Sequence, residues 1–386
     1  MMDLEKISRI KEYLKKYELD ALIVRNPENV LYVSGYWPVT GWSLAAVNRE
    51  GEIFLIVPES ELEHLDTDGI KEVKVLPGET LEGVWQPYKL IRKKLEELDL
   101  GKKIRIGVEQ SFETMATNNV VGELNYASVP TFNLIKEVFD AEIVDATKMI
   151  YELRMVKTEL ELEKMRIVNE IAAKGLEAGR EKLSEGITEA ELASIIESTI
   201  HSEGIGYKGV KRARGFAFVM SGVNASRAHY PYNISSDKKI KRGETVLIEL
   251  NVYADGYWTD ITRTWCVGAP KQMYKDIRDI LVAAQEEVYT KFREGMTAKE
   301  VDVLARDYIK STEYAKLFPH RLGHGIGVRI HEPPALHPAS NEVMKMNVTH
   351  TVEPGIYGKD FGIRFEDVVR DLKKGVEVLT KIDKEL

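Results

Sequence analysis

Four acids and three neighbouring histidines of this chain have the types and spacing to do chemistry together. Glu249 and Asp260 lie in VLIELNVYADGYWTDITRT (246–264), and Glu353 and Glu366 lie in THTVEPGIYGKDFGIRFEDVV. Both runs are rich in apolar and β-branched residues, as strands with a buried face are. Like charges opposed on a ladder repel, and burial makes the repulsion worse. Two repetitions of the same fault point to a purpose: the acids share a proton, as in a carboxylate dyad, or they share a cation. Four acids suit a pair of divalent ions bridged by oxygen. His324 favours the metal. It lies in HRLGHGIGVRIHEPPAL (320–336), where glycines let the backbone pass close to a site, and it is flanked by His320 and His331. Imidazole is the commonest nitrogen ligand for borderline metals, and oxygen-rich ligation with one imidazole suits manganese, cobalt, iron or zinc. His229 in SRAHYPYN (226–233) is a further candidate.

These residues need two hairpins to position them. Glu249 and Asp260 are symmetric about the centre of Tyr253-Ala254-Asp255-Gly256, and Glu353 and Glu366 about the centre of Gly358-Lys359-Asp360-Phe361. Regular hairpins on those centres set Glu249 opposite Asp260 and Glu353 opposite Glu366, with Cα atoms roughly 4.5–5.5 Å apart. An internal repeat supports the pairing. EGITEAELASIIESTI (185–200) matches EGMTAKEVDVLARDYI (294–309) at an offset of 109 residues. Each copy holds a capping box, Thr188/Glu191 and Thr297/Glu300, each follows a long helix (159–183 and 271–292), and each leads to one of the hairpins.

Ahead of the repeat, residues 1–150 alternate helix and strand patterns. Ile7, Ile10 and Leu14 mark one face of an opening helix. LDALIV (19–24), KIRIGVE (103–109) and AEIVDA (141–146) read as strands, 43–57 as a hairpin turning near Glu50-Gly51, and Thr80–Leu98 as helix. No Gly-x-Gly-x-x-Gly loop follows a strand, which speaks against nucleotide binding. The expectation is a smaller α/β domain over 1–150 and a catalytic domain over 157–386, the latter opening at the capping box Thr158/Glu161.

Composition excludes several classes. A chain of 386 residues exceeds one ordinary core, and its 44% hydrophobic and 30% charged content is that of a soluble globular protein. A net charge of −8 with interspersed signs argues against nucleic acid or an anionic membrane as partner. Cys266 is the only cysteine, so neither an internal disulfide nor a thiolate metal site is available. The segment MMDLEKISRIKEYLKKYELD lacks the apolar core of a signal peptide, and no run approaches ~18 apolar residues, so a cytoplasmic protein is expected. Only four glutamines among abundant Lys and Glu is a composition met in heat-adapted proteins.

With these motifs in order, the chain resembles the pita-bread metallopeptidase family, which groups aminopeptidase P, prolidase (Xaa-Pro dipeptidase), methionine aminopeptidase and creatinase. AHY, GYWTDITRT, GHGIG with IHEPP, VEPGIY and RFED stand in family order and spacing, and RNPENVLYVSGY (25–36) resembles the N-terminal domain that methionine aminopeptidases lack. The resemblance implies an α+β protein: a C-terminal pita-bread (creatinase/aminopeptidase) fold with a pseudo-two-fold repeat, preceded by the smaller creatinase-type α/β domain. It implies five metal ligands, Glu249, Asp260, His324, Glu353 and Glu366, holding two divalent ions (manganese or cobalt first, zinc or iron next). The first ligand departs from the family, which has Asp where this chain has Glu249, and Asn251 replaces a small glycine. The longer side chain either still binds or leaves a single-ion site.

In that family a metal-bridged hydroxide attacks the scissile carbonyl. Glu353 would then be ligand and proton shuttle, His229 and His331 would hold the carbonyl oxygen, and Arg364 would orient a ligand carboxylate. His320 would shape the pocket and Tyr232 or Tyr357 line it, while His350, at a position usually apolar, has no assigned role. The resemblance implies an exopeptidase that cleaves Xaa-Pro bonds in dipeptides or at peptide N-termini, prolidase-like, acting on peptides as a homodimer. Two rivals remain: a creatinase-type hydrolase of non-peptide C–N bonds with an altered or metal-free site, and a binding module like the histone-chaperone relatives of the fold.

Overall fold

The computed structural model describes residues 3–39, 43–77, 87–110, 129–229 and 234–386. The chain divides into two compact units, one running to Arg154 and the other from Met155 to Leu386.

In the first unit the elements are α1 (Leu4–Lys16), β1 (Ala21–Val24), α2 (Pro27–Ser34), β2 (Leu44–Asn48), β3 (Ile53–Pro58), β4 (Ile70–Leu76), α3 (Pro87–Glu96), β5 (Arg105–Val108), α4 (Val129–Phe139), β6 (Glu142–Asp145) and α5 (Thr147–Met155). The strands form one sheet in the order β4-β3-β2-β1-β5-β6, mixed parallel and antiparallel. Strict alternation on β3 explains why both faces are covered. Ile53, Leu55 and Val57 join Ile7, Ile10 and Leu14 of α1 in one core, and Phe54 and Ile56 join Ile91 of α3 and Ile135 of α4 in another. The predicted strands and the 43–57 hairpin are present. Of the helix expected over 80–98, residues 80–86 lie outside the described residues.

The second unit is built twice. Its elements are α6 (Glu159–Lys182), α7 (Glu189–Gly204), β7 (Ala213–Ser221), β8 (Thr245–Ala254), β9 (Tyr257–Cys266), α8 (Gln272–Lys291), α9 (Ala298–Lys310), β10 (Gly323–Gly325), β11 (Glu332–Leu336), β12 (Thr349–Val352), β13 (Gly355–Tyr357), β14 (Gly362–Arg364), β15 (Asp367–Asp371) and β16 (Val376–Val378). All three capping boxes form, at Thr158/Glu161, Thr188/Glu191 and Thr297/Glu300. Helices α6 and α7 cover one face of the sheet β7-β8-β9 through Val246, Ile248, Leu250 and Val252. Helices α8 and α9 do the same for the second half through Val352, Ile356, Ile363, Phe365 and Val369. Since side chains alternate along a strand, the residues between these belong to the opposite faces, and those are the positions of the four acids.

The first hairpin corrects one expectation. Asp255 (φ 45°) and Gly256 (φ 86°) both take left-handed backbone, the signature of a two-residue type I′ turn. Ala254 therefore pairs with Tyr257, and the ladder sets Glu249 opposite Thr262 and Asp260 opposite Asn251. Glu249 does not face Asp260. The slip is by an even number of residues, so every side chain keeps its face. In the second hairpin Val352 faces Asp367 and Gly355 faces Arg364, so one register runs through the interruption and brings Glu353 opposite Glu366.

His324 is carried on β10 between two glycines. A Cβ on Gly323 would strike the Thr351 carbonyl, and one on Gly325 the Pro333 carbonyl, so the strand passes its neighbours at a distance only glycine allows. The two halves are joined at Arg263, which is wholly buried. Its Nε donates to Asp383 O (2.9 Å), Nη1 to Thr262 O (2.9 Å) and Glu366 O (2.7 Å), and Nη2 to Asp367 Oδ1 (2.7 Å) and Ile382 O (2.8 Å). Every N–H of the guanidinium is used. Replacing Arg263 with Met should cost about 3–5 kcal/mol, because it leaves Asp367 buried beside fewer cations and two strands unpinned; denaturant unfolding of the variant measures this.

Candidate metal centre

Each candidate ligand reaches the site from a different element: Glu249 from β8, Asp260 from β9, His324 from β10, Glu353 from the end of β12, and Glu366 from the step between β14 and β15. Asp260, His324 and Glu366 are buried, and the side chains of Glu249 and Glu353 are each 14% exposed. Two sets of potential ligand atoms lie within 4.8 Å of one another, Asp260 with His324 and His331, and His324 with Glu353 and Glu366. His324 belongs to both. Its Nδ1 is 3.0 Å from the Gly325 carbonyl, which can only accept, so Nδ1 carries the proton. The lone pair of Nε2 then faces Asp260 Oδ2 and Glu353 Oε1, each 3.6 Å away.

A second set of residues orients the first. Arg364 pairs with Glu249 through Nη2, donates from Nε to Thr262 Oγ1 (2.9 Å), and from Nη1 to Ala228 O (3.2 Å) and Tyr357 Oη (3.1 Å). Thr262 Oγ1 in turn donates a hydrogen bond to Glu366 Oε2 (2.7 Å). Tyr357 donates to His320 Nε2 (3.0 Å), whose Nδ1 is committed to the Arg321 carbonyl (2.7 Å). Asn251 Nδ2 donates to Asp260 Oδ1 (2.6 Å), leaving Oδ2 turned to His324.

Placement of the remaining candidates follows. The His331 ring lies 4.1 Å from that of His324. His229 packs its ring 5.0 Å from Tyr357, with Nδ1 3.0 Å from Ser226 O, which puts it beside Arg364 and His320 rather than in either ligand set. Glu249 also lies outside both sets. Tyr232 falls outside the described residues. His350 acquires an account: it shares its strand face with Val352, away from the acids, and pairs with buried Asp371 at 3.0 Å. Burial opposes its charge, and Asp371 nevertheless raises its pKa. Sequence reasoning missed Thr262, the Asn251–Asp260 bond and the buried pair Lys157–Glu332 (2.7 Å), which anchors the residue after His331. The Asp-Gly turn was the available signal for the first two, since it alone fixes which residue faces Asp260. Nothing local announces the third.

Charge and burial are in conflict here. Burial pushes the Glu353 carboxyl up to about 8, with Arg364 pulling it down and Asp260 pushing it further up. Burial also raises Glu366, with Asp260 and Glu353 adding to it, and it raises Asp260 against the pull of His331 and Arg364. The imidazoles move the other way: burial takes His324 to about 3, His320 to about 3 and His331 to about 2. At neutral pH the histidines are therefore neutral donors of a lone pair, and the acids are short of positive charge.

Known proteins share the family motifs and the fold of this chain. Residues 163–370 match the metallopeptidase family M24 and residues 6–156 the creatinase/prolidase N-terminal domain. The chain is 32% identical over 383 residues to an Xaa-Pro dipeptidase of Pyrococcus furiosus, covering 99% of each. Among solved structures, an Xaa-Pro dipeptidase from Bacillus anthracis matches with a TM-score of 0.80 at 27% identity over 99% of both chains. An X-Pro aminopeptidase from Thermotoga maritima matches at 0.79 and 28%, over 97% of this chain and 98% of that one. The creatinase-type domain and the duplicated pita-bread domain expected from the motifs are both present, and the chain belongs to metallopeptidase family M24.

Proposed function

We propose that this protein is a metal-dependent exopeptidase that hydrolyses Xaa-Pro bonds, acting as a prolidase on dipeptides in preference to longer peptides. The observation that carries the reading is the buried convergence of Asp260, Glu353 and Glu366 on the Nε2 lone pair of His324. A divalent cation fits that arrangement. Glu366 Oε1 is buried without a hydrogen-bond partner among the described residues, and three carboxyls face a neutral imidazole with no ammonium among them. Asp260, His324, Glu353 and Glu366 would hold the cation, with Glu249 as the fifth ligand named by the family. Manganese or cobalt is proposed first for this oxygen-rich set, one ion or two. When bound, divalent ions supply Lewis acidity, polarising the scissile carbonyl and making water a usable nucleophile near neutral pH.

The chain's own groups then have definite tasks. Glu353 takes a proton from the attacking water at a carboxylate oxygen and delivers it to the prolyl nitrogen as the C–N bond breaks. His331 donates a hydrogen bond to the carbonyl oxygen as it gains charge; His229, which the resemblance gives the same task, has its Nδ1–H committed to Ser226 O. Arg364 fixes Glu249 directly and Glu366 through Thr262, so neither carboxylate reorganises during the reaction. The preference for dipeptides leans on the prolidase relative and extends to a homodimer in the cytoplasm, where the lone thiol Cys266 fits a reducing compartment. No helix among the described residues is long and apolar enough to cross a membrane.

Three outcomes are expected. Supplied with manganese or cobalt, the protein should cleave Met-Pro faster than Xaa-Pro-Xaa peptides, and Glu353→Gln should lower kcat by about 10²–10⁴; absence of proline-dependent cleavage from both substrate sets would refute the specificity. Stripped of metal, the protein should lose stability as pH rises from about 4.5, the ordinary Glu value, to about 8, the value in the fold. Over that window the folded state holds protons the unfolded chain has released, so raising pH favours unfolding. Added manganese should abolish the slope in melts at pH 5 and 8. Finally, Glu249→Asp should hold a second equivalent of manganese more tightly than wild type in equilibrium dialysis, because the shorter side chain cannot settle on Arg364 outside both ligand sets.

A further inference from the structure

Gln285 is wholly buried on α8 and is one of only four glutamines in the chain. Both N–H bonds of its amide are used, Nε2 donating to Val352 O (2.8 Å) and Phe365 O (3.0 Å). Those carbonyls belong to the residues immediately before Glu353 and Glu366. They also flank the place where the ladder between the two strands is interrupted. Asp371 N donates to Val348 O, which fixes the alternation of the ladder: 348/371 is a hydrogen-bonding pair, and by register so is Pro354/Phe365. Proline has no N–H, so the strand cannot supply the donor that Phe365 O expects. Gln285 supplies it from the helix behind.

The side chain is kept despite a cost. Gln285 Oε1 is buried with no hydrogen-bond partner among the described residues, a penalty that Met or Leu of similar volume would exchange for a Phe365 carbonyl left without a donor. We infer that Gln285 is a positioning residue for the cation site, its amide fixing the separation of the two strands where Glu353 and Glu366 leave them. The inference rests on the proposed role of those acids.

Neighbouring Tyr289, one turn further along α8, provides the control: its hydroxyl donates 2.8 Å to Asp367 Oδ2, a buried bond that does not touch the interruption. Metal-stripped wild type, Gln285→Met, Tyr289→Phe and the double variant Gln285→Met/Pro354→Ala would each be titrated calorimetrically with manganese, checked by thermal melting, and assayed on Met-Pro. Gln285→Met should lose tenfold or more in manganese affinity and in kcat with KM little changed. Tyr289→Phe should melt earlier yet bind manganese as wild type does. Restoring an N–H at position 354 should recover much of the affinity in the double variant, and this arm remains decisive should Gln285→Met alone fail to fold. Folded Gln285→Met with wild-type affinity and kcat, an equal loss in Tyr289→Phe, or no recovery in the double variant would overturn the inference. Wild type that neither binds manganese nor turns over Met-Pro would instead refute the functional reading.

Discussion

The interaction on which the second unit depends is the repulsion among Asp260, Glu353 and Glu366, gathered around a buried, neutral His324. An isolated carboxylate in such surroundings is strongly unfavourable, and all three have their pKa raised above the ordinary carboxylate value, Glu353 to about 8. The architecture can be understood as what it takes to impose that arrangement. Two helix pairs cover the outer faces of two antiparallel hairpins, so that each sheet has an apolar core behind it and the polar residues in front.

Burial alone would let the acids turn away from one another. Rigid polar contacts prevent it, each drawn from a different part of the chain. Arg364 and Thr262 fix Glu249 and Glu366, Asn251 fixes one oxygen of Asp260, and the Gly325 carbonyl fixes the tautomer of His324. Behind these stand Arg263, which ties β9 to Glu366 O, and Lys157–Glu332, which secures the loop carrying His331. Each contact restricts a ligand atom to one position, so the site is preorganised for positive charge.

Much of this was legible in the sequence because it is written locally. The capping boxes, the alternation on β3 and β8, the duplicated helix pairs and the register of the second hairpin all follow from short-range patterns. Centring the first hairpin on Tyr253-Ala254-Asp255-Gly256 misses its register by two residues, because Asp255-Gly256 alone is a complete I′ turn. The even slip left the face assignment intact, which is why Asp260 still reaches the cluster. The partners of buried polar residues were not legible. Arg263 meets Ile382 and Asp383 some 120 positions away, and Gln285 serves carbonyls on two separate strands. His350 was puzzling in sequence for the same reason: its partner Asp371 is chosen by the ladder.

The central claim is that the acids stand together because a cation belongs among them. Its most direct test is proton release on metal binding. Manganese titrated calorimetrically into stripped protein at pH 7, in buffers of different ionisation enthalpy, should displace about one proton or more per ion bound, since Glu353, pushed up to about 8, retains its proton in the metal-free fold. Binding with no proton release, or no binding at all, would contradict the account.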